Sequence, residues 1–416
     1  MDYELGFGKE KIRLSLAEHN FSGVLGPNRI DVELTGTEEV RRAIANPIGT
    51  PRLKSLVKPG EKIVIITSDI TRPMPSKLVL PEVLAELAAA GVADSQIKIV
   101  FALGSHRKQT EEEKKYLVGA DIYAKIACVD SDMADCVHLG ATPAGTPVDI
   151  FRVVAEADRR ICLGNIEYHY FAGYSGGAKA IMPGVSTRAA IQANHSKMVN
   201  VAAKAGALDD NPVRRDIEAV VQLAPIDFIV NVVLDEHKQV IKAVAGHYRE
   251  AHRAGCRFLD QLYKVKIKEL ADIVIVATGG YPKDLNLYQA QKALDNAKHA
   301  VKKGGIIILV ASCPDGLGEA VFEKWMLAAA TPQSMIDRIQ SHFELGGHKA
   351  AAIAMVLQNA QIFLVSSLAA DLVRQLFMRP FAGLNEALTQ AFSELGSDAQ
   401  VIVMPYGGST LPVVAD

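Results

Sequence analysis

Four short stretches of this 416-residue chain bring together residue types that can do chemistry. Asp69-Ile70-Thr71-Arg72-Pro73 sets a carboxylate, a hydroxyl and a guanidinium within four positions and stops them with proline. Such a turn is either an anion clamp in which the acid orients the base, or a capped turn with a surface ion pair. Gly104-Ser105-His106-Arg107 puts an imidazole in a second polar stretch, where it can be structural, solvated or catalytic. The third stretch, IEYHYFAGYSGGAKAIMPGVS, carries His169, Gly173, Ser175, Gly176, Gly177 and Lys179. Glycines in that density can turn backbone N–H groups toward a phosphate, or simply make a flexible turn. The pattern is not a Walker A loop, because Ala178 separates the glycines from Lys179 and Ala180 stands where a magnesium-binding hydroxyl is needed; nor is it G-x-G-x-x-G.

Sixteen residues beyond Lys179, in the helical run Thr187–Val199, stands His195. One imidazole with no second in i, i+4 register cannot hold a metal by itself. Either a cofactor brings the remaining donors or His195 is a helix-surface residue. The fourth stretch is GGYPKDLNLYQAQKAL, in which Tyr288 and Lys292 share a helix face and Gln289 lies about 100° round from Tyr288. The lysine is either a ligand contact or an exposed residue of an amphipathic helix.

These stretches need elements to hold them. Continuous apolar, β-branched runs occur at 62–68, 97–104, 160–165, 273–280, 305–312, 361–367 and 400–405, and predict strands covered on both faces, as in parallel α/β sheets. Helices are predicted at Ser76–Ala90, at Pro212–Leu223 after the Asn211 cap, and at Asn286–Val301. The chemistry-bearing stretches follow the runs at 62–68, 97–104, 160–165 and 273–280, and ligands in such folds bind outside the carboxyl ends of strands. The expected architecture is therefore two α/β domains with mostly parallel sheets and an interdomain active-site cleft: residues 1–265 for catalysis and cofactor binding, residues 266–416 for substrate contacts. The helix-like, charge-rich connector Arg249–Leu270 marks the boundary.

Composition narrows the partners. With 45 Lys plus Arg against 47 Asp plus Glu the formal net charge is −2, and no block of like charge suggests a nucleic-acid or membrane surface. The apolar runs are too short to span a bilayer, the amino terminus does not read as a secretory signal, and a cytoplasmic enzyme is the expectation. Cys128, Cys136, Cys162, Cys256 and Cys313 are an odd count without a C-x-x-C pair, which reads as scattered thiols.

Taken together, DITRP at 69–73, GSHR at 104–107, EYHYFAGYSGGAK at 167–179 with His195 beyond it, and GGYPKDLNLYQAQKA at 279–293 resemble the nickel-dependent lactate racemase family. CPDGLG (313–318), LGGHKA (345–350) and MPYGGST (404–410) extend the resemblance without a role for Cys313, His348 or the last segment.

The resemblance implies a racemase or epimerase that inverts C2 of a 2-hydroxy acid. It also implies a nickel-pincer nucleotide, Ni(II)-pyridinium-3,5-bisthiocarboxylic acid mononucleotide, attached covalently at Lys179 and loaded with the help of cofactor-biosynthesis enzymes. His195 would be the protein ligand to nickel, the other donors being sulfur and carbon of the cofactor. Asp69, Thr71, Arg72, Ser175, Gly176 and Gly177 would help hold the cofactor. In the family's mechanism a base takes the hydroxyl proton while C2 gives hydride to the cofactor, and return of hydride to the other face inverts the centre. His106 and His169 match the acid/base pair, one for each enantiomer. Arg72, Tyr288, Gln289 and Lys292 would bind the substrate. Two other readings stand beside this one: a non-catalytic nucleotide-binding protein, and a zinc-dependent hydrolase using His106, His169 and His195.

Overall fold

A computed structural model describes residues 2–235 and 237–415. The chain divides into two compact units, Ile30–Gln261 and Met1–Arg29 with Leu262–Asp416. Each is a mixed α/β unit built on a six-stranded, mostly parallel sheet.

In the unit Ile30–Gln261 the sheet runs, edge to edge, Val240–Gly246, Phe228–Leu234, Arg159–Asn165, Ile63–Ser68, Ile97–Ala102, Ala127–Asp130. All neighbours are parallel except the hairpin formed by the first two strands. Ile63, Ile65, Ile97, Ile99, Ile161 and Val230 line one face and pack under Val79, Leu80, Val83 and Leu87 of the helix Ser76–Ala89. Because Ile63–Ser68 is covered on both faces, its apolar residues run without alternation, which is why the strand was visible in the sequence. From Ile63–Ser68 the chain steps to Ile97–Ala102 and Ala127–Asp130 on one side, then returns to place Arg159–Asn165 on the other. The strand order reverses between Ile63–Ser68 and Arg159–Asn165, so the loops leaving their carboxyl ends flank a topological switch point, where open α/β sheets take ligands.

The second unit has the sheet order Arg379–Phe381, Gln361–Val365, Val301–Val310, Ala271–Ala277, Val401–Met404, Phe21–Val24, parallel throughout. Its switch point falls between Ala271–Ala277 and Val401–Met404, beside the 279–286 and 405–410 loops. The sequence reading assigned residues 1–29 to the first domain. Residues 2–29 fold instead into this unit: Phe21–Val24 forms its edge strand, and Leu5, Leu14 and Leu16, from the hairpin Asp2–Phe7/Glu10–Ser15 and the residue after it, are buried in its core. The helix expected to reach Val301 ends at Ala297, and Val301 opens a strand. Among the described residues no helix is long and apolar enough to cross a membrane.

Candidate active site

The first unit brings most of the candidate residues to its switch point. Asp69 leaves the end of Ile63–Ser68 and is buried; its Oδ1 accepts from Thr71 Oγ1 at 2.8 Å, and its Oδ2 lies 2.7 Å from His106 Nδ1. A carboxylate only accepts, so His106 donates from Nδ1 and, when neutral, carries its lone pair on Nε2. Thr71 Oγ1 is also 3.3 Å from that Nδ1. The turn is braced from the neighbouring loop: Gln109 Oε1 accepts from Ile70 N at 2.8 Å, and Asp130 accepts from the Gln109 backbone and side chain. Arg72 is exposed at the end of this turn.

The segment after Arg159–Asn165 folds back as a two-residue ladder, Tyr168–His169 against Gly173–Tyr174. A side chain at Gly173, where φ is +78°, would drive its Cβ to 1.8 Å from Ala207 O, so only glycine closes this turn. His169 Nδ1 accepts from Ala172 N at 3.2 Å. The His169 ring stacks on Tyr170 and meets Phe171 edge-on at 4.5 Å, and Phe171 meets His195 edge-on at 4.9 Å. Two candidate histidines thus share one aromatic side chain.

The loop is held from behind by groups the sequence reading did not single out. Arg214, fully buried, donates to Ala172 O, Tyr174 O and Gly176 O. His252 lies 2.8 Å from Ser175 O, and a Cβ on Gly177 would touch its ring at 3.0 Å. Gly177 N donates to Asn231 Oδ1 at 2.7 Å, and Ser175 Oγ donates to Asn165 O while accepting from Glu167 N. The Ser175 hydroxyl and the Gly177 amide therefore serve the loop itself. Arg214 had a sequence signal: Arg214, Ile217 and Val221 fall at i, i+3, i+7 on an apolar helix stripe, where a solvated arginine has no reason to be.

Electrostatically the cluster is one-sided. Burial, reinforced by the charges of Arg214 and Arg72, pushes the Lys179 ammonium well below its ordinary range. Burial, then Lys179, His195, Arg72 and Arg214, push His169 well below its usual range as well. Among the described residues no carboxylate pairs with Lys179. Burial thus disfavours the charged form of the Lys179 amine, and the unprotonated amine is the form that can act as a nucleophile.

His195 closes the helix Arg188–His195 and is buried, its Nδ1 3.0 Å from Asn194 Oδ1. Among the described residues no three His, Cys, Asp or Glu side chains gather as a metal-binding group. His106, His169 and His195 consequently do not form the ligand set that a zinc hydrolase requires.

The other candidates belong to the second unit. Asn286 Oδ1 caps the helix Leu287–Ala297 by accepting from Gln289 N at 3.0 Å. Tyr288 and Lys292 are half-buried and Gln289 is exposed. Lys349 donates to Tyr288 O at 2.5 Å with its ammonium 4.0 Å from the ring centre, which gives the LGGHKA segment a role in fixing Tyr288.

Comparison with known proteins returns one consistent answer. Residues 7–206 match the model of the lactate racemase N-terminal domain and residues 266–412 that of the lactate racemase C-terminal domain. The chain is 36% identical to the lactate racemase of Thermoanaerobacterium thermosaccharolyticum over 98% of both sequences. It is 35% identical to that of Lactiplantibacillus plantarum over 97% of this chain and 98% of the other. The apoprotein structure of the Thermoanaerobacterium enzyme superposes with a TM-score of 0.91 over 100% of each chain. A Thermotoga maritima protein, 19% identical over 92% of this chain and 100% of its own, shares the fold at a TM-score of 0.64.

Proposed function

The chain belongs to the lactate racemase family, and on that premise we propose that it is a racemase or epimerase inverting C2 of a 2-hydroxy carboxylate, loaded with a nickel-pincer nucleotide through Lys179. The observation that carries the reading is the Asp69–His106 pair at the same switch point as His169 and the buried Lys179.

The residues present fit that cofactor. Lys179, whose charged form burial disfavours, would hold the group covalently as the thioamide of one thiocarboxyl arm, a condensation in which the arm's oxygen leaves as water. Arg72, exposed at the end of its turn, would supply positive charge for a nucleotide phosphate. His195, donating from Nδ1, presents its Nε2 lone pair as a neutral imidazole donor suited to nickel. When bound, the group supplies reversible acceptance of a hydrogen with its electron pair, which avoids forming a carbanion beside a carboxylate.

The chain's own part is to bind the acid and move the hydroxyl proton. His106 Nε2 accepts that proton from one enantiomer, and the resulting imidazolium is stabilised by the buried Asp69 carboxylate. His169 serves the opposite enantiomer. Neutral, with Nδ1 accepting from Ala172 N, it presents N–H at Nε2 and donates a hydrogen bond; to accept a proton there it must release the Ala172 contact and carry its hydrogen at Nδ1. Arg72, Lys292, Gln289 and Tyr288 are assigned to the substrate carboxylate and oxygen atoms on the family pattern, and Asp69 and Thr71 to orienting His106 as well as to the cofactor pocket.

The test is intact-mass and nickel analysis of protein made alongside the cofactor-biosynthesis enzymes, followed by a chiral screen of 2-hydroxy acids. The expected result is a nickel-containing adduct that Lys179→Ala abolishes. Racemisation by adduct-free protein would overturn the cofactor assignment, and nucleotide bound without any change of hydroxy-acid chirality would favour a binding protein.

A further inference from the structure

A chain of buried polar groups runs inward from His195, away from the Asp69–His106 pair and the glycine-rich loop. Asn194 and Asp216 are both buried, on the helices Arg188–His195 and Pro212–Ala219. Asn194 Nδ2 donates to Val213 O at 3.2 Å and to Asp216 Oδ2 at 2.8 Å. Both partners are pure acceptors, so the amide has one permitted orientation and its oxygen must face His195 Nδ1, 3.0 Å away. An amide oxygen only accepts. The hydrogen of a neutral His195 is thereby held on Nδ1.

Asp216 is anchored in turn. Thr142 Oγ1 donates to it at 2.5 Å and Thr146 Oγ1 at 2.6 Å, and Lys197 Nζ lies 3.1 Å from its Oδ2. Lys197 is itself fixed, donating to Thr146 Oγ1 at 2.9 Å and Ala193 O at 2.7 Å. Three elements therefore converge on one carboxylate: the turn at 142–146, the helix carrying His195, and the helix beginning at Pro212. A buried carboxylate with four polar partners is costly to assemble unless every member is satisfied, and here its remaining effect is to lock one amide.

We propose that Asn194 and Asp216 are positioning residues for His195: Asp216 fixes the Asn194 amide, and Asn194 fixes the imidazole in the tautomer that presents Nε2 as the donor to nickel. This rests on the reading of His195 as the nickel ligand. Outer partners that fix a ligand's tautomer typically change metal affinity by about 10-fold to 100-fold when removed.

The apo chain tests the tautomer without any metal. Histidine-selective ¹⁵N NMR, with the His195 signals identified by their loss in His195→Ala, should show hydrogen on Nδ1 in the wild type and a mixture of tautomers in Asn194→Ala. Hydrogen on Nε2 in the wild type would overturn the proposal outright, whether or not the variant folds. On loaded protein, chelator competition should then show nickel released roughly 10-fold to 100-fold faster from Asn194→Ala, and a smaller acceleration from Asp216→Asn. Wild-type release from Asn194→Ala while His195→Ala sheds its nickel would overturn the positioning role alone. Nickel retained by His195→Ala would instead overturn the ligand assignment, and this proposal with it.

Discussion

The two histidines proposed as acid and base are held in opposite ways. His106 leans on a buried carboxylate, donates from Nδ1 and is partly open, its side chain 30% exposed. His169 leans on a backbone amide, accepts at Nδ1, and is packed among aromatic rings and positive groups. One nitrogen facing outward carries a lone pair and the other a hydrogen, so one residue begins as acceptor and the other as donor. Two residues with the same formal job need not share a microenvironment, and the job each starts with is set by the atom behind it. The equilibrium constant of a racemisation is unity, so kcat/KM must match in the two directions; the difference between the histidines therefore shows in kcat for each enantiomer taken separately.

The largest effect should follow from Asp69→Asn. The carboxamide can present N–H to His106 and so favour the wrong tautomer, and kcat per nickel bound should fall about 100-fold to 10,000-fold. Steady-state rates from each pure enantiomer measure it, and a loss below a few-fold would remove the carboxylate from the account of His106.

On the other side of the comparison no side chain can be exchanged, because the partner of His169 is backbone; the backbone is held by Arg214. Arg214→Met takes the guanidinium from the carbonyls of Ala172, Tyr174 and Gly176; Ala172 O keeps the Tyr174 amide and Gly176 O the Lys179 amide, so the loss falls chiefly on Tyr174 O, at about 1–3 kcal/mol for a buried group left unsatisfied. The melting temperature should drop by several degrees, on the order of 2–4 °C per kcal/mol for a unit of this size. Adduct formation at Lys179 should slow with it. An unchanged melting temperature would mean that the loop holds its shape without the guanidinium.

The smallest effect lies beside His106. Arg107 pairs with Glu113, and with the Thr110 amide it holds that carboxyl down to about 2. A depressed carboxyl pKa stabilises the fold above the unfolded-state value, and the contribution is lost as pH falls through about 2. Arg107→Ala should return Glu113 toward its ordinary range in an NMR titration while racemisation changes by less than about twofold, as for an exposed ion pair away from the chemistry. A large loss of activity would show that His106 depends on its exposed neighbour as well as on Asp69.

The central strands were legible because they are covered on both faces and read as unbroken apolar runs. Phe21–Val24 was not: it is an edge strand with alternating burial, and its pairing to Val401–Met404 has no local signature. In the site, the loops and their chemistry-bearing residues could be read from type and spacing, whereas the tasks of Ser175 and Gly177 could not, since both groups turn inward to partners from other segments. Asn194 and Asp216 escaped for the same reason. They sit 22 positions apart, and only the packing of two helices makes them a pair.

The placement of the first residues has a consequence for synthesis. Asn20, beside the edge strand, donates to Ser397 O, 377 positions later. At about 5–20 residues per second a ribosome takes roughly 20 to 75 seconds to make that span. During this interval Ile30–Gln261 can complete its own sheet, while an amino-terminal hairpin and an unpaired strand wait for the neighbour they require. The nascent chain therefore carries an open β edge through most of its own production, and a chaperone that covers the first 29 residues should improve the yield of folded protein more than one that acts on the centre of the chain.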